Sequence, residues 1–278
     1  MLSAMSAHTG RALADPVGLT PAATTVKSAI AAAYDAAAIQ YAELADRPVY
    51  RRLARPLVDV LAPHGGPLLD VAAGTGALGR WCRDVVSVDL SVGQLAHNPS
   101  RRRVLADAER LPFRDDAFQA AGCAFGINHF PDPAAAVREM ARVAAVVGVL
   151  TWLRPAPYYA PKAVLDELLR RHLGRSRSPV GAAVDQLGDA VGSAQAVRAL
   201  LADTGLVCRV NEIVINVPWP GLDAYLDYRL GMPSTKTGDH TAIRAQAAAL
   251  ISELPDHQLP WHAALVLGVG TRGGSHPK

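Results

Sequence analysis

The sequence predicts an α/β protein built on a mainly parallel sheet, and three observations predict it. Short apolar runs of strand length alternate with helical stretches between residues 68 and 153, the pattern of right-handed βαβ crossovers. The first run ends in a glycine-rich turn, Gly74-Thr75-Gly76-Ala77-Leu78-Gly79. Half of the 278 residues are hydrophobic but only 5% are aromatic, so a sizeable core is available and is made mostly of Ala, Leu and Val.

Residues 1–24 mix Ser, Thr, Pro, Gly and Ala without periodicity and read as a mobile arm. Residues 25–62 carry a helical pattern with a break before Pro48, an N-terminal helical cover. Pro63-His64-Gly65-Gly66-Pro67 is a turn cluster. Strands are predicted over 68–71, 85–89, 102–106, 117–125 and 144–153, helices over 77–83 and 134–143, and a loop over 128–133. Beyond these, 161–173 reads as helix and 174–191 as a loop or partly helical cover. Ser193 is placed to cap a helix running to Ala202, because its hydroxyl can accept from a free N–H of the first turn. Strands follow over 207–217 and 261–271, helices over 221–230 and 242–254. No internal repeat and no second independent core is evident. The C-terminal half is therefore expected to complete the same sheet and cover its mouth. That gives one domain over 63–272 with helical insertions at about 155–205 and 220–256, and a tail over 273–278.

A formal net charge of +3 with 19% charged residues excludes a disordered polyelectrolyte. Basic residues are scattered apart from Arg101, Arg102 and Arg103 and the 170–177 stretch, which read as solvated surface charge. No basic stripe interleaved with aromatics points to nucleic acid. Cys82, Cys123 and Cys208 are odd in number and fit no metal spacing, so reduced thiols in a cytoplasmic, metal-free protein are expected. The longest apolar run, around 143–153, is too short to span a bilayer, and residues 1–10 lack the features of a secretory signal. No membrane partner is expected; the oligomeric state stays open, a homodimer included.

The glycine turn literally matches G-x-G-x-x-G between a strand and a helical stretch, a pattern that two classes of cofactor site share. Its glycines let a ligand approach backbone N–H groups closely, or serve the turn alone. Asp70, four residues before the first glycine, separates the two classes. A carboxylate there repels a pyrophosphate in a partly desolvated pocket and suits a cation. That counts against a nicotinamide-dependent oxidoreductase. It favours S-adenosyl-L-methionine, which carries an ammonium and a sulfonium and no phosphate. Asp89, at the end of the second strand, can accept two hydrogen bonds from ribose hydroxyls, or can belong with Ser91 to an ordinary helix cap. Asp107, after the third strand, can accept from an adenine amino group with the Ala108 N–H close by.

These residues carry a family resemblance. Leu68-Leu69-Asp70-Val71-Ala72-Ala73-Gly74-Thr75-Gly76 resembles the first motif of class I S-adenosylmethionine-dependent methyltransferases, and Val88-Asp89-Leu90-Ser91 the second. Asp107-Ala108-Glu109-Arg110-Leu111-Pro112-Phe113, followed by Asp116-Ala117-Phe118, resembles the third as it stands in the small-molecule subfamily related to quinone-biosynthesis methyltransferases. Phe125-Gly126-Ile127-Asn128-His129-Phe130-Pro131-Asp132 resembles the loop after strand four. The resemblance covers roughly residues 30–155. It departs at Ala72, where many members have glycine, and at 145–148, where the usual Pro-Gly-Gly turn is degraded.

The resemblance implies a Rossmann-like, doubly wound, mostly parallel seven-stranded sheet with an antiparallel last strand, a helical N-terminal cover and a C-terminal helical lid. It implies that Asp70 orients the methionine ammonium of the donor and that Ala72, Gly74, Thr75 and Gly76 pass beneath it. Asp89 and Leu90 would hold the ribose, Asp107 and Ala108 the adenine, and Phe125 and Gly126 would line the methionine end. S-adenosyl-L-homocysteine would be the product and no metal would be needed.

On the acceptor side, His129 is the candidate base, or a residue that packs beneath the site. Tyr34 and Tyr41 lie seven apart, on one face of an N-terminal helix over the donor, or form a packing stripe. Asn128, Trp152, Arg154, Tyr158 and Tyr159 are placed to line an acceptor pocket, with Tyr225 and Tyr228 in its lid. Arg154 binds an acidic group of the substrate or faces solvent. All four Phe fall between Phe113 and Phe130, so the few aromatics are expected near the mouth of the sheet. The expected activity is methyl transfer to a small-molecule acceptor such as a secondary metabolite. A fold relative that binds the same donor for another reaction, such as a cyclisation, is the alternative.

Overall fold

A computed structural model describes residues 21–46, 48–174, 179–231, 239–255 and 260–273. The N-terminal helices are α1 (Pro21–Ala36), α2 (Ala38–Asp46) and α3 (Pro48–Leu61). Then come β1 (Leu68–Val71), β2 (Val85–Asp89), α4 (Val92–Ala96), β3 (Arg102–Leu105), β4 (Phe118–Ala124), α5 (Pro133–Val143) and β5 (Ala144–Trp152). The C-terminal half holds α6 (Ala160–Leu173), α7 (Pro179–Val191), α8 (Ala194–Ala202), β6 (Val207–Val217), α9 (Leu222–Leu230), α10 (Thr241–Ser252) and β7 (Trp261–Thr271).

The seven strands form one sheet in the order β3-β2-β1-β4-β5-β7-β6. β1 pairs in parallel with β2 and β4, β2 with β3, and β4 with β5. β7 runs antiparallel to both β5 and β6. The inner strands are continuously apolar because helices cover both faces: β1 is buried throughout, and β5 nearly so. β3 is an edge and reads Arg102-Arg103-Val104-Leu105, largely exposed. On one face α3 presents Leu53, Leu57 and Leu61, and the backbone of Gly148 lets Leu57 come close: a Cβ there would lie 2.5 Å from Leu57 Cδ1. On the other face α5 contributes Val137, Met140 and Val143, and α8 Val197 and Leu201. The chain order reverses between β1 and β4, so their carboxyl ends open a crevice.

Several expectations need correction. The stretch 77–83 forms turns: Arg80 N–H reaches Gly76 O at 3.3 Å and Trp81 N–H reaches Leu78 O at 2.9 Å, and no regular helix follows. α4 is a short helix with Ser91 as its N-cap, accepting from Gln94 N–H at 3.1 Å, as the cap alternative had it. The 25–62 region breaks at Ala37 as well as before Pro48, and its last helix belongs to the core of the sheet as well as to a cover. Residues 174–191 contain the regular helix α7. α5 passes directly into β5, and the strand predicted over 144–153 forms over Ala144–Trp152. A satellite core is present after all: Leu165, Leu168, Leu226, Ile243 and Ile251 join α6, α9 and α10 apart from the sheet. The proposed arm and tail, except for residues 21–24 and 273, lie outside the described residues.

Candidate active site

β1 and β2 deliver two carboxylates to the crevice. Asp70 is 1% exposed, and its Oδ2 has no hydrogen-bond partner. Burial raises its pKa to about 8, the nearby Asp89 charge adds to the rise, and the N–H groups of Gly79 and Leu78 pull the other way. Asp89 receives Gly74 N–H on Oδ2 and Ser91 N–H on Oδ1, both at 2.8 Å. Burial raises its pKa too, against those backbone donors. No ion pair neutralises either carboxylate among the described residues.

The glycine loop is held from the β2–β3 side. Asn98 donates from Nδ2 to Gly74 O at 2.9 Å. Gly76 has φ +92°, and a Cβ on it would lie 2.6 Å from Pro99 Cδ, so both conformation and space require glycine. At Gly79 a Cβ would meet nothing nearer than Val85 at 3.6 Å, an ordinary contact. The third glycine of the dinucleotide pattern therefore has no packing need, and no regular helix stands ready for a pyrophosphate. Across the crevice, Phe125 takes φ +61° and Ala72 φ +53°. A Cβ on Gly126 would lie 2.4 Å from the Ala72 Cβ, so the loops after β1 and β4 touch through a glycine.

The N-terminal helices lie over these loops. Lys27 of α1 is 7% exposed and donates to Asp107 Oδ2 at 2.6 Å and to Glu109 Oε2 at 2.5 Å. Asp35 Oδ1 accepts from Gly93 N–H at 2.8 Å and from the Ser91 hydroxyl, a carboxylate on the N-terminus of α4. Gln94 Nε2 donates to Tyr34 O at 3.0 Å. Tyr34 and Tyr41 sit on different helices, α1 and α2, yet their rings stack at 5.2 Å. Thr75 Oγ1 lies 3.5 Å from the Tyr41 carbonyl. The carboxylate expected to read an adenine, Asp107, is thus engaged by a lysine on Oδ2 and by Glu109 N–H on Oδ1, with Ala108 buried between them.

His129 closes a 3-10 turn, Ile127–His129, after β4. Its Nε2 is 3.0 Å from the Tyr34 hydroxyl, and Nδ1 has no partner. Burial lowers its pKa to about 4, so the ring is neutral at physiological pH and a weak base. The geometry sets His129 against the Tyr34 hydroxyl. Asn128 is buried beside it, with Oδ1 unpartnered.

On the acceptor side the residues separate. Trp152 stands between Phe125 (4.8 Å between centroids) and Trp261 (5.9 Å), and Trp261 stacks on Trp219 at 6.2 Å. Trp219 contacts Tyr225 and Tyr228, and Tyr225 meets Tyr159 edge-on. A row of rings thus leads from the end of β4 to a cavity of about 210 Å³ lined by Tyr159, Trp219, Leu222, Tyr225 and Ile251 among others. Tyr228 packs against Tyr50 of α3. Two placements are corrected. Tyr158 is 82% exposed and does not line this cavity. Arg154 pairs with Asp185 and Asp189 at 3.5 and 3.4 Å, which ties β5 to α7. Phe113 and Phe118 pair at 4.9 Å at the amino end of β4, away from the mouth, so aromatics are less concentrated there than expected.

Lys27, Glu109, Tyr50, Trp219 and Trp261 were not anticipated. The signal for Lys27 was available: it and Asp35 are the only charged residues of α1, and Lys27, Ile30 and Tyr34 recur on one helical face. Nothing local marked the tryptophans, which meet only through the fold.

The strand order, the glycine loop and the paired acidic strand ends together resemble class I S-adenosylmethionine-dependent methyltransferases. The model of the methyltransferase-domain family matches residues 69–151, from β1 to β5. A demethylmenaquinone methyltransferase of Mycolicibacterium paratuberculosis is 38% identical over 146 residues, 49% of this chain and 61% of that protein, so the match spans less than two thirds of the relative. The YcgJ protein of Bacillus subtilis has the same fold, with a TM-score of 0.51 at 19% identity over 80% of this chain and 99% of its own. So does the [4+2]-cyclase SpnF, with a TM-score of 0.51 at 18% identity over 89% of this chain and 97% of its own.

Proposed function

We infer that this protein is a methyltransferase that takes its methyl group from S-adenosylmethionine and gives it to a small molecule. The observation that carries the reading is Asp70, a buried carboxylate with a free oxygen, no paired cation and a second carboxylate nearby. Such a site gains from a cationic ligand and rejects a phosphate. Asp70 would take the donor's ammonium, Asp89 the ribose and the loop at Asp107 the adenine. Bound there, the donor supplies an electrophilic methyl group on a sulfonium.

The chain's own part is to bind, orient and keep water out. Phe125 and Gly126 shape the methionine end, and α1 with α2 closes over it. Tyr34, fixed by His129, presents a hydroxyl at the same end. The apolar cavity beside Tyr159, Trp219 and Tyr225 suits the non-reacting part of an acceptor, and a secondary metabolite fits such a lining. The weak basicity of His129 favours acceptors that need no strong base. The same feature keeps open a second reading, in which the donor is bound for a reaction other than methylation. A cytoplasmic setting accords with three unpaired thiols. No helix among the described residues is long and apolar enough to cross a membrane, and no cluster of three or more His, Cys, Asp or Glu there is spaced for a metal.

Calorimetric titration with S-adenosylhomocysteine and with NAD tests the reading. Binding of the first and not the second is expected; binding of NAD alone overturns it. Conversion of labelled donor to S-adenosylhomocysteine in the presence of an acceptor separates methylation from the second reading.

A further inference from the structure

α1 reaches the loops after β2, β3 and β4 from a single face. Lys27, Ile30, Tyr34 and Asp35 recur at helical spacing. Lys27 meets the loop after β3, Asp35 meets α4 after β2, and Tyr34 meets His129 after β4. The Lys27 contact differs from the others in kind. Its ammonium is buried with two carboxylates, of which Glu109 has a side chain only 3% exposed. Glu109 also accepts from Asp132 N–H at 3.0 Å through its other oxygen, so it joins α1 to the N-cap of α5. Asp132 in turn follows the loop that carries His129. One lysine therefore fastens α1 to both the adenine end and the methionine end of the cleft.

A buried cation between two carboxylates is an all-or-none contact. Pulled away, Lys27 leaves two acidic groups near each other with low solvent access, which costs more than an exposed ion pair. It also occupies one oxygen of Asp107, the carboxylate proposed to accept from the adenine amino group. The proposed donor and the lysine thus call on the same carboxylate.

We propose that Lys27 is the latch of a lid: its ion pairs with Asp107 and Glu109 hold α1 shut over the donor cleft and set the rate at which donor enters and leaves. The proposal rests on the assignment of this cleft to S-adenosylmethionine. A latch differs from a merely structural contact in its kinetics. Structural loss weakens binding by speeding release. Loss of a latch raises the entry rate as well, because entry waits on opening.

Two measurements on the full chain test this. The first is amide hydrogen exchange without any ligand, following residues 25–36. Lys27→Met is expected to speed exchange there by about tenfold or more, with little change in β1 and β4. The second is stopped-flow association of S-adenosylhomocysteine. In the wild type the observed rate should level off at high ligand concentration at the opening rate, and in Lys27→Met that plateau should rise severalfold. Lys27→Met/Glu109→Gln, which removes the more buried of the two carboxylates together with the lysine and keeps the net charge of the cluster, should behave likewise and serves if the single variant folds poorly. Unchanged exchange over 25–36, or a plateau that stays the same or falls while S-adenosylhomocysteine still binds, overturns the latch. Failure of the wild type to bind S-adenosylhomocysteine counts against the cofactor assignment, and the exchange experiment then still decides whether Lys27 holds α1.

Discussion

Asp70 lies one residue before the end of β1 and Asp89 ends the adjacent parallel strand β2; burial, with the charge of Asp89 adding to it, pushes the Asp70 carboxyl up to about 8. The sign of the stability effect follows. Between the ordinary carboxylate value and about 8, the folded protein holds a proton on Asp70 that the unfolded chain has released. Ligand-free stability therefore falls as pH rises through that window and levels off above it. Asp70→Asn should flatten much of this slope in thermal unfolding followed by circular dichroism. An equally steep slope in the variant would place the strain elsewhere.

Asp89 is already bonded by two backbone N–H groups, from Gly74 and Ser91. An amide in its place can satisfy one N–H and must turn its own NH₂ toward the other. Asp89→Asn should weaken S-adenosylhomocysteine binding by about 10- to 100-fold, the worth of hydrogen bonds to a charged group. Calorimetry reads this directly, and wild-type affinity would remove Asp89 from the ribose role.

His129 accounts for the position of Tyr34 more readily than for proton transfer, since its ring is neutral and its Nε2 is engaged. His129→Gln keeps a polar group in reach of the Tyr34 hydroxyl. Its turnover, once an acceptor is found, should stay within about tenfold of wild type, whereas loss of a general base typically removes about 10²–10⁴-fold. His129→Ala and Tyr34→Phe should resemble each other.

Gly126 carries the contact between the loops after β4 and β1. Gly126→Ala puts a methyl 2.4 Å from the Ala72 Cβ and 2.9 Å from Cys123 Sγ. The loops must part, at a cost of about 1–3 kcal/mol in urea denaturation, with weaker donor binding. Ala72→Gly in the same chain should restore part of both.

The sheet and the donor loops were readable because their physics is local. Buried strands such as Val85–Asp89 read as apolar runs, and glycines at fixed offsets mark turns that only glycine can make. The helix expected at 77–83 was misread because a glycine loop braced by Asn98 and Pro99 holds the segment in turns, a constraint that comes from residues about twenty positions away. Lys27 stands out in α1 by its charge, but its partners Asp107 and Glu109 meet it only in the folded chain. The acceptor side was least readable. Its rings come from β5, α9, β7 and the connections beside them, and Arg154 was claimed by α7, a helix whose acidic residues gave no pairing signal.

The central claim is that Asp70 is kept without a cation so that a cationic donor can supply one. Titration of S-adenosylmethionine between about pH 6.5 and 8.5, in buffers of different protonation enthalpy, tests it most directly. Affinity should rise with pH by up to about tenfold per unit below about pH 8, with close to one proton released per donor bound near neutrality. Asp70→Asn should bind more weakly and release none. A pH-independent affinity without proton release in the wild type would contradict the account.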